Sequence, residues 1–253
     1  MMKEVHNIRP IQEEDIDAVV EVVREAFDSN YLIPSIYRCK GIRNFISSEI
    51  NNVFSPYRYF VYCVGEEIAG YAEYKILKSS GVAFLNIIAV NNKYKNKGIG
   101  GILFKHTRDF FIKEGFCSIH LDVYETNFVA LNWYTGFGFK KTSFNYFYKV
   151  GIDSENQKPF EFFVQNFAQY KVVNDVFGFY FLDISNASED IRLGTIDGDL
   201  FIRGNYTQSL RIQLDDFTKK ISFRKLYYLG SECNFSECEF IDKIIRMELN
   251  IKL

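Results

Sequence analysis

The chain has 253 residues, 47% of them hydrophobic and 25% charged, with a formal net charge of −2. Those values exclude a disordered chain and give no general pull toward nucleic acid or acidic membranes, so any basic site must be local. The length suits one large domain or two small ones, and the 26 Phe and 17 Tyr read mainly as core and pocket lining.

The start, MMKEVHNIRP, is polar and lacks the apolar core of a signal peptide, and no apolar run of membrane-spanning length follows. VHNIRP predicts a short strand ending at Pro10. EEDIDAVVEVVREAF places Ile16, Val19, Val20, Val23 and Phe27 on one face of a helix whose first turn is acidic, as the helix dipole favours. A loop, SNYLIPS, leads to a second helix over roughly 42–51. YRYFVYCVGEEIAGYAEYKIL reads as an antiparallel hairpin turning at GEE, and VAFLNIIAV as a strand buried on both faces. From Ile99 the apolar spacing is helical, FCSIHLDVY is a strand, and NFVALNWYTGFGF is a short helix that ends at glycine and returns to a strand through FNYFYKV.

The polar stretch GIDSENQKP, residues 151–159, marks a boundary between residues 1–150 and 151–253. Beyond it the signals are mostly β: VFGFYFLDI, then IRLGTIDGDLFIRG with Asp-Gly at a two-residue hairpin turn, then RIQLDDF and ISFRKLYYL. Ser236 and Glu239 fit a capping box that would open a final helix in SECEFIDKIIRMEL.

Cys39, Cys63, Cys117, Cys233 and Cys238 are scattered and odd in number, which suits reduced thiols in a cytoplasm better than a disulfide framework. Cys233 and Cys238 have no histidine after them, and His6, His106 and His120 are not paired at ligand spacing, so no metal is expected.

The stretch KYKNKGIGGILF carries three lysines and three glycines where an apolar strand ends. A Walker loop needs Gly-Lys followed by Ser or Thr, which is absent; a dinucleotide fingerprint needs a small residue at position 103, which is Leu103. A third reading is a loop whose glycines open a helix, with bare backbone N–H groups around an anion and Lys93, Lys95 and Lys97 at the rim. The plain alternative is a solvated turn before an ordinary helix.

In this setting IIAVNNKYKNKGIGGILF resembles the acetyl-CoA motif of the GNAT N-acetyltransferase superfamily, in which Gln or Arg, two residues, Gly, one residue, then Gly or Ala open a long helix. The matching positions are Lys95, a departure from Gln or Arg, with Gly98 and Gly100. NFVALNWYTGFGF resembles the later motif of the family at Asn127, Ala130, Tyr134, Gly138 and Phe139, in register. The resemblance covers residues 1 to about 150 and implies a mixed α/β fold, its sheet mainly antiparallel and flanked by helices. The remainder would form a smaller mainly-β domain ending in a helix.

The resemblance further implies acetyl-CoA as co-substrate, lying between VAFLNIIAV and CSIHLDVY. Backbone groups of Ile88, Ala89 and Val90 would pair with the pantetheine arm. N–H groups of Lys95, Asn96, Lys97, Gly98, Ile99, Gly100 and Gly101 would hold the pyrophosphate, and Asn127 would touch the arm. The reaction would be acyl transfer to a primary amine (a small amine, an amino sugar or a peptide amine) by direct attack. A backbone N–H near Ile88 would polarise the carbonyl and Tyr134 would give a proton to the leaving thiolate. Glu73 and Asp122 are candidates for the base, with Glu125 behind them, although strand alternation leaves their facing open and a solvated face is the plainer reading. Tyr31, Tyr37 and Tyr71 would line the acceptor side. The partner expected is a small-molecule or peptide amine, with neither nucleic acid nor membrane. Three roles stay open for the C-terminal region: cover for the acceptor cleft, a homodimer contact, or binding of another protein. The competing class is a non-catalytic acetyl-CoA-binding regulatory module.

Overall fold

In the computed structural model, every residue is described except 1–5, 152–161, 186–189, 208–209, 212–213, 215–216, 218–219 and 253. The chain builds β1 (His6–Pro10), α1 (Ile16–Ala26), α2 (Ile42–Ile50), β2 (Tyr57–Val64), β3 (Glu67–Leu77), β4 (Val82–Val90), α3 (Ile99–Lys113), β5 (Ser118–Tyr124), α4 (Phe128–Gly136) and β6 (Lys140–Val150). It continues with β7 (Phe163–Val164), α5 (Phe167–Phe177), β8 (Phe179–Ser185), β9 (Asp190–Ile196), β10 (Asp199–Gly204), β11 (Leu226–Gly230) and β12 (Cys238–Asn250).

The strands form one sheet in the order β1-β2-β3-β4-β5-β12-β6-β11-β10-β9-β8-β7. Only β4·β5 and β10·β11 are parallel; the other pairs are antiparallel. The expected mixed, mainly antiparallel sheet flanked by helices is therefore what forms. Two-residue alternation along β2 explains how two layers of helix are held. Tyr59 and Val61 face α1 and α2, where Ile16, Val19, Val23, Ile42 and Ile46 pack. Phe60 and Tyr62 face α3, with Leu103, Phe104 and Phe111. Each such side chain contributes roughly 1.5–3 kcal/mol by leaving water.

Three expectations need correction. SECEFIDKIIRMEL is not a helix but β12, inserted between β5 and β6. Its apolar residues 241, 244, 245 and 249 look helical because both faces of this strand are covered, Ile244 packing with Tyr124 and Phe147 and Ile245 in the cluster of Leu103 and Leu121, and because a bulge at Ile241 shifts the alternation. RIQLDDF is not a strand either: Leu210, Leu214 and Phe217 are helical and buried, at four- and three-residue spacing. Cys233 and Cys238 are bonded as a disulfide, while Cys39, Cys63 and Cys117 are free thiols.

The boundary stretch lies outside the described residues apart from Gly151. On either side of it the chain belongs to one continuous sheet, since β12 returns to pair with β5 and β6. The α1–α2 segment also packs against α5 and β8–β10 of the other half. Arg38, between α1 and α2, reaches Asp199 of β10 at 2.8 Å and donates to the Ile196 carbonyl at 2.9 Å. Gly41 is needed at that junction, because a Cβ there would sit 2.1 Å from the Val176 carbonyl oxygen. Phe45 packs edge-on against Phe177 and Phe179, at 5.7 and 5.1 Å between centroids.

Candidate active site

A parting of strands creates the site. β4 and β5 pair in parallel from Val82↔Ser118 to Leu85↔Leu121 and then diverge, so Asn86 to Val90 have no β5 partner. The divergence starts at a bulge. On β3, Tyr74 pairs with Leu85 and Glu73 with Ile87, which leaves Asn86 as the extra residue. The open edge then runs past Ile88, Ala89 and Val90 into the glycine loop.

That loop bares its amides. Asn96 and Gly98 take positive φ values of 63° and 77°, and α3 starts with no side chain capping it. Among the described residues, the N–H groups of Asn96, Lys97, Gly98, Ile99, Gly100 and Gly101 find no acceptor, and the first helical bond runs from Ile102 N–H to the Gly98 carbonyl. A Cβ on Gly100 would stand 3.4 Å from Val90, and one on Gly98 would adopt a φ that L-residues avoid. A run of unpaired donors at a helix start is what a diphosphate requires, so these residues fit coenzyme A. Lys95 and Lys97 are exposed at the rim, and Lys97 lies 4.8 Å from the Tyr94 ring centroid. Lys93 is held by Glu67 at 2.5 Å.

The parted strands open into a cleft of about 380 Å³. Glu73, Ile88, Asp122, Asn127 and Tyr134 all line it, and so do Tyr31 and Tyr37. Glu73 corrects the expectation of a solvated face: only 3% of it is exposed. Its Oε2 accepts from Tyr37 at 2.6 Å and Tyr71 at 3.2 Å, and its Oε1 from the Asn86 amide at 2.8 Å. Burial raises its pKa, and the hydrogen bonds from Tyr37, Asn86 and Tyr71 oppose that rise. No cation pairs with it among the described residues.

Asp122 is placed differently. Arg246 of β12 grips it with two bonds, at 2.5 and 3.0 Å, so its oxygens are already engaged. Glu125 does not line the cleft and sits 3.7 Å from Lys243. Asn127 caps α4, its Oδ1 accepting from the Ala130 N–H at 3.1 Å, while its amide nitrogen has no partner among the described residues. Tyr134 is half-buried, its hydroxyl makes no hydrogen bond to a described residue, and burial pushes its pKa well up.

Sequence reasoning missed four contributors to the cleft: Asn86, Tyr124, Arg203 and Arg246. Asn86 had left a signal, as the only polar residue in VAFLNIIAV. Arg203 and Arg246 come from β10 and β12, and no local pattern announces them.

Among the described residues no cluster of three or more His, Cys, Asp or Glu could hold a metal ion, and no helix is long and apolar enough to cross a membrane. Comparison with curated proteins gives no significant match. Among solved structures, the chain is similar to a tandem GNAT protein from the clavulanic acid biosynthesis pathway, at 10% identity and a TM-score of 0.72, over 98% of this chain and 99% of that one. A second similar structure is a putative acetyltransferase from Pyrococcus horikoshii, at 13% identity and a TM-score of 0.66, over 97% and 89%. PaiA N-acetyltransferase from Thermoplasma acidophilum, solved with coenzyme A, is 23% identical with a TM-score of 0.47, over 55% of this chain and 91% of that one. The two full-length likenesses show a shared fold across both halves of the sheet. The family model for the acetyltransferase (GNAT) family matches residues 17–139. The parted strands, the bare helix start and both motifs fall within that span: residues 17–139 are a domain of the GNAT acetyltransferase family.

Proposed function

We propose that the protein is an acetyl-CoA-dependent N-acetyltransferase that moves an acetyl group to a primary amine by direct attack. The observation that carries this reading is Glu73, a buried carboxyl without a cation, beside the strand edge where the thioester arm would lie. A module that only bound the cofactor would have no use for such a group.

When bound, acetyl-CoA supplies a thioester carbonyl for attack and a thiolate as leaving group. The amides of residues 96–101 would hold its diphosphate, without the expected Lys95 N–H, which is already donated to the Asn92 carbonyl at 3.3 Å; the β4 edge at Ile88–Val90 would hold its pantetheine arm, and the free amide nitrogen of Asn127 would donate to that arm. Glu73 takes the proton of the incoming ammonium, directly or through water, and its raised pKa makes it a better base than an exposed carboxylate. A main-chain N–H near Ile88 faces the developing oxyanion. Tyr134 stays protonated at neutral pH and returns a proton to sulfur. Burial raises the pKa of a thiol as well as that of a tyrosine, which keeps the two within reach of each other. Asp122, tied to Arg246, serves as an anchor for that guanidinium.

Covering the acceptor cleft is the role of the C-terminal region that has support, since Arg203 and Leu229 line the cleft. The partner proposed is a primary amine, and a net charge of −2 gives no general attraction to nucleic acid. The test is thiol release from acetyl-CoA by the full chain, with a panel of primary amines and with water alone. Amine-dependent release supports the enzyme. Tight cofactor binding with no release on any amine returns the protein to the regulatory class.

A further inference from the structure

Strands from the other half of the sheet contribute to the same cleft as Glu73. Arg203 of β10, paired with Leu229 of β11, lines the cleft together with Tyr124 of β5. Among the described residues, the Arg203 guanidinium makes neither a hydrogen bond nor an ion pair. It is reachable from the cleft, yet surrounding protein lowers its pKa through desolvation, while Asp122 and Tyr124 favour its charge from a distance. The Tyr124 hydroxyl is buried and also has no hydrogen-bond partner. Arg203, exposed to solvent, is free to take an acceptor, and the buried Tyr124 hydroxyl without one is costly unless a ligand satisfies it.

We infer that the acceptor amine also carries a carboxylate, which Arg203 and Tyr124 bind while Glu73 receives the ammonium. The inference rests on the acetyltransferase reading and narrows its substrate class to amino acids in the broad sense. Charge decides between anions. The cleft offers one unpaired cation, because Arg246 is already neutralised by Asp122. A carboxylate, with one charge and two acceptor oxygens, balances one guanidinium; a phosphate dianion would leave a charge uncompensated. Glu73 and Arg203, both lining the cleft, complement a zwitterion, whose two charges would suffer at a uniformly apolar site. The second half of the sheet is thereby a specificity element rather than a scaffold.

The experiment uses the full chain with the twenty L-amino acids, β-alanine and 4-aminobutyrate, each beside its own carboxamide, and follows thiol release from acetyl-CoA. Arg203→Met and Arg203→Lys are run alongside, with their melting temperatures as a check on folding. The expected result is a kcat/KM about 10- to 150-fold higher for the acid than for its amide in at least one pair, the range that charged hydrogen bonds imply. Arg203→Met should abolish that preference by raising KM for the acid at least tenfold more than for the amide, and Arg203→Lys should restore part of it. Equal rates on every acid and amide, or a uniform loss on both in Arg203→Met, overturns the inference. If no amine releases thiol, the acetyltransferase reading has failed. The carboxylate subsite is then judged by calorimetry with the same acids and amides in the presence of coenzyme A. Acid-selective heat that Arg203→Met removes upholds it, and its absence rejects it.

Discussion

The two ends of the sheet repeat one topology and differ in what they leave open. Read inward from either edge, β1 to β5 and β7 to β11 follow the same order, and each run ends in the only parallel pair of its side. In the first half that pair holds for four residues and parts; in the second, β10 and β11 stay paired from Leu200↔Leu226 to Gly204↔Gly230. The connections differ in the same sense. KNKGIGG bares its amides, whereas NYTQSL has no glycine, and beyond it Leu210, Leu214 and Phe217 fill the space beneath the sheet. Topology alone therefore makes no cofactor site. The site needs strands that separate and a helix start without side chains, and the half that lacks both has become a wall.

The largest effect that should separate the halves is on turnover. Glu73→Gln removes the proposed base while keeping a group that Tyr37 and Tyr71 can donate to, and should lower kcat by roughly 10²- to 10⁴-fold with acetyl-CoA affinity nearly unchanged. Thr195 is the buried polar residue of β9, the strand corresponding to β3, bonded to the Tyr180 N–H at 3.0 Å and carbonyl at 3.1 Å. Thr195→Val should cost about 1 kcal/mol of stability and leave kcat intact. Comparable kinetic losses in both variants would dissolve the distinction between site and wall.

Next in size is the clasp between the two halves of the molecule. The Asp199 side chain is 3% exposed, with Arg38 at 2.8 Å and Arg224 at 3.7 Å. Arg38→Met leaves that carboxylate only the more distant guanidinium and should lower the free energy of unfolding by about 1.5–3 kcal/mol in urea. The double change Arg38→Met with Asp199→Leu should recover most of the loss. A double variant as unstable as the single one would show that packing, not charge, joins the halves.

The elements most legible in the sequence are those whose periodicity is local. Val19, Val20 and Val23 mark α1, the aromatic and β-branched run from Tyr59 to Val64 marks β2, and Asp197-Gly198, with φ of 49° and 77°, turns β9 into β10. The cofactor cradle was legible because main-chain donors leave a glycine signature. The acceptor side was not, because Glu73, Asn86 and Arg203 meet through tertiary placement on three strands. α5 escaped notice because it buries no residue fully and covers Tyr170, Val173, Asn174 and Phe177 only in part. β12 escaped because burial on both faces, together with one bulge at Ile241, imitates a helical repeat.

Gly98 and Gly198 share a φ of 77°, one in each half, and offer a smaller but cleaner contrast. An alanine at either should cost roughly 1–3 kcal/mol of backbone strain. Gly98→Ala relieves that strain by turning amides away from the diphosphate, and should weaken coenzyme A about tenfold in calorimetry, whereas Gly198→Ala should leave the affinity alone. Equal affinities in the two variants would show that the cradle tolerates rotation and that the lysines carry the binding.

The smallest effect lies in how stability follows pH. Burial raises the pKa of Glu73 above the value it has in the unfolded chain, so the folded state retains a proton that the unfolded state has lost. The stability linked to that proton is fully present below the ordinary carboxylate range and declines as pH rises through the folded value. A glutamine cannot titrate. Glu73→Gln should therefore gain stability relative to the native chain as pH climbs from about 4, by about 1.4 kcal/mol for each pKa unit of difference, and the gap should level off above the folded pKa. The hydrogen bonds from Tyr37, Tyr71 and Asn86 hold that gap down, since they favour the charged carboxylate. Turnover supplies the cross-check, because a base must be ionised: the acidic limb of kcat/KM should turn at the pH where the stability gap stops growing. Two different pH values would mean that the group carrying the rate is not the carboxyl buried beneath Tyr37.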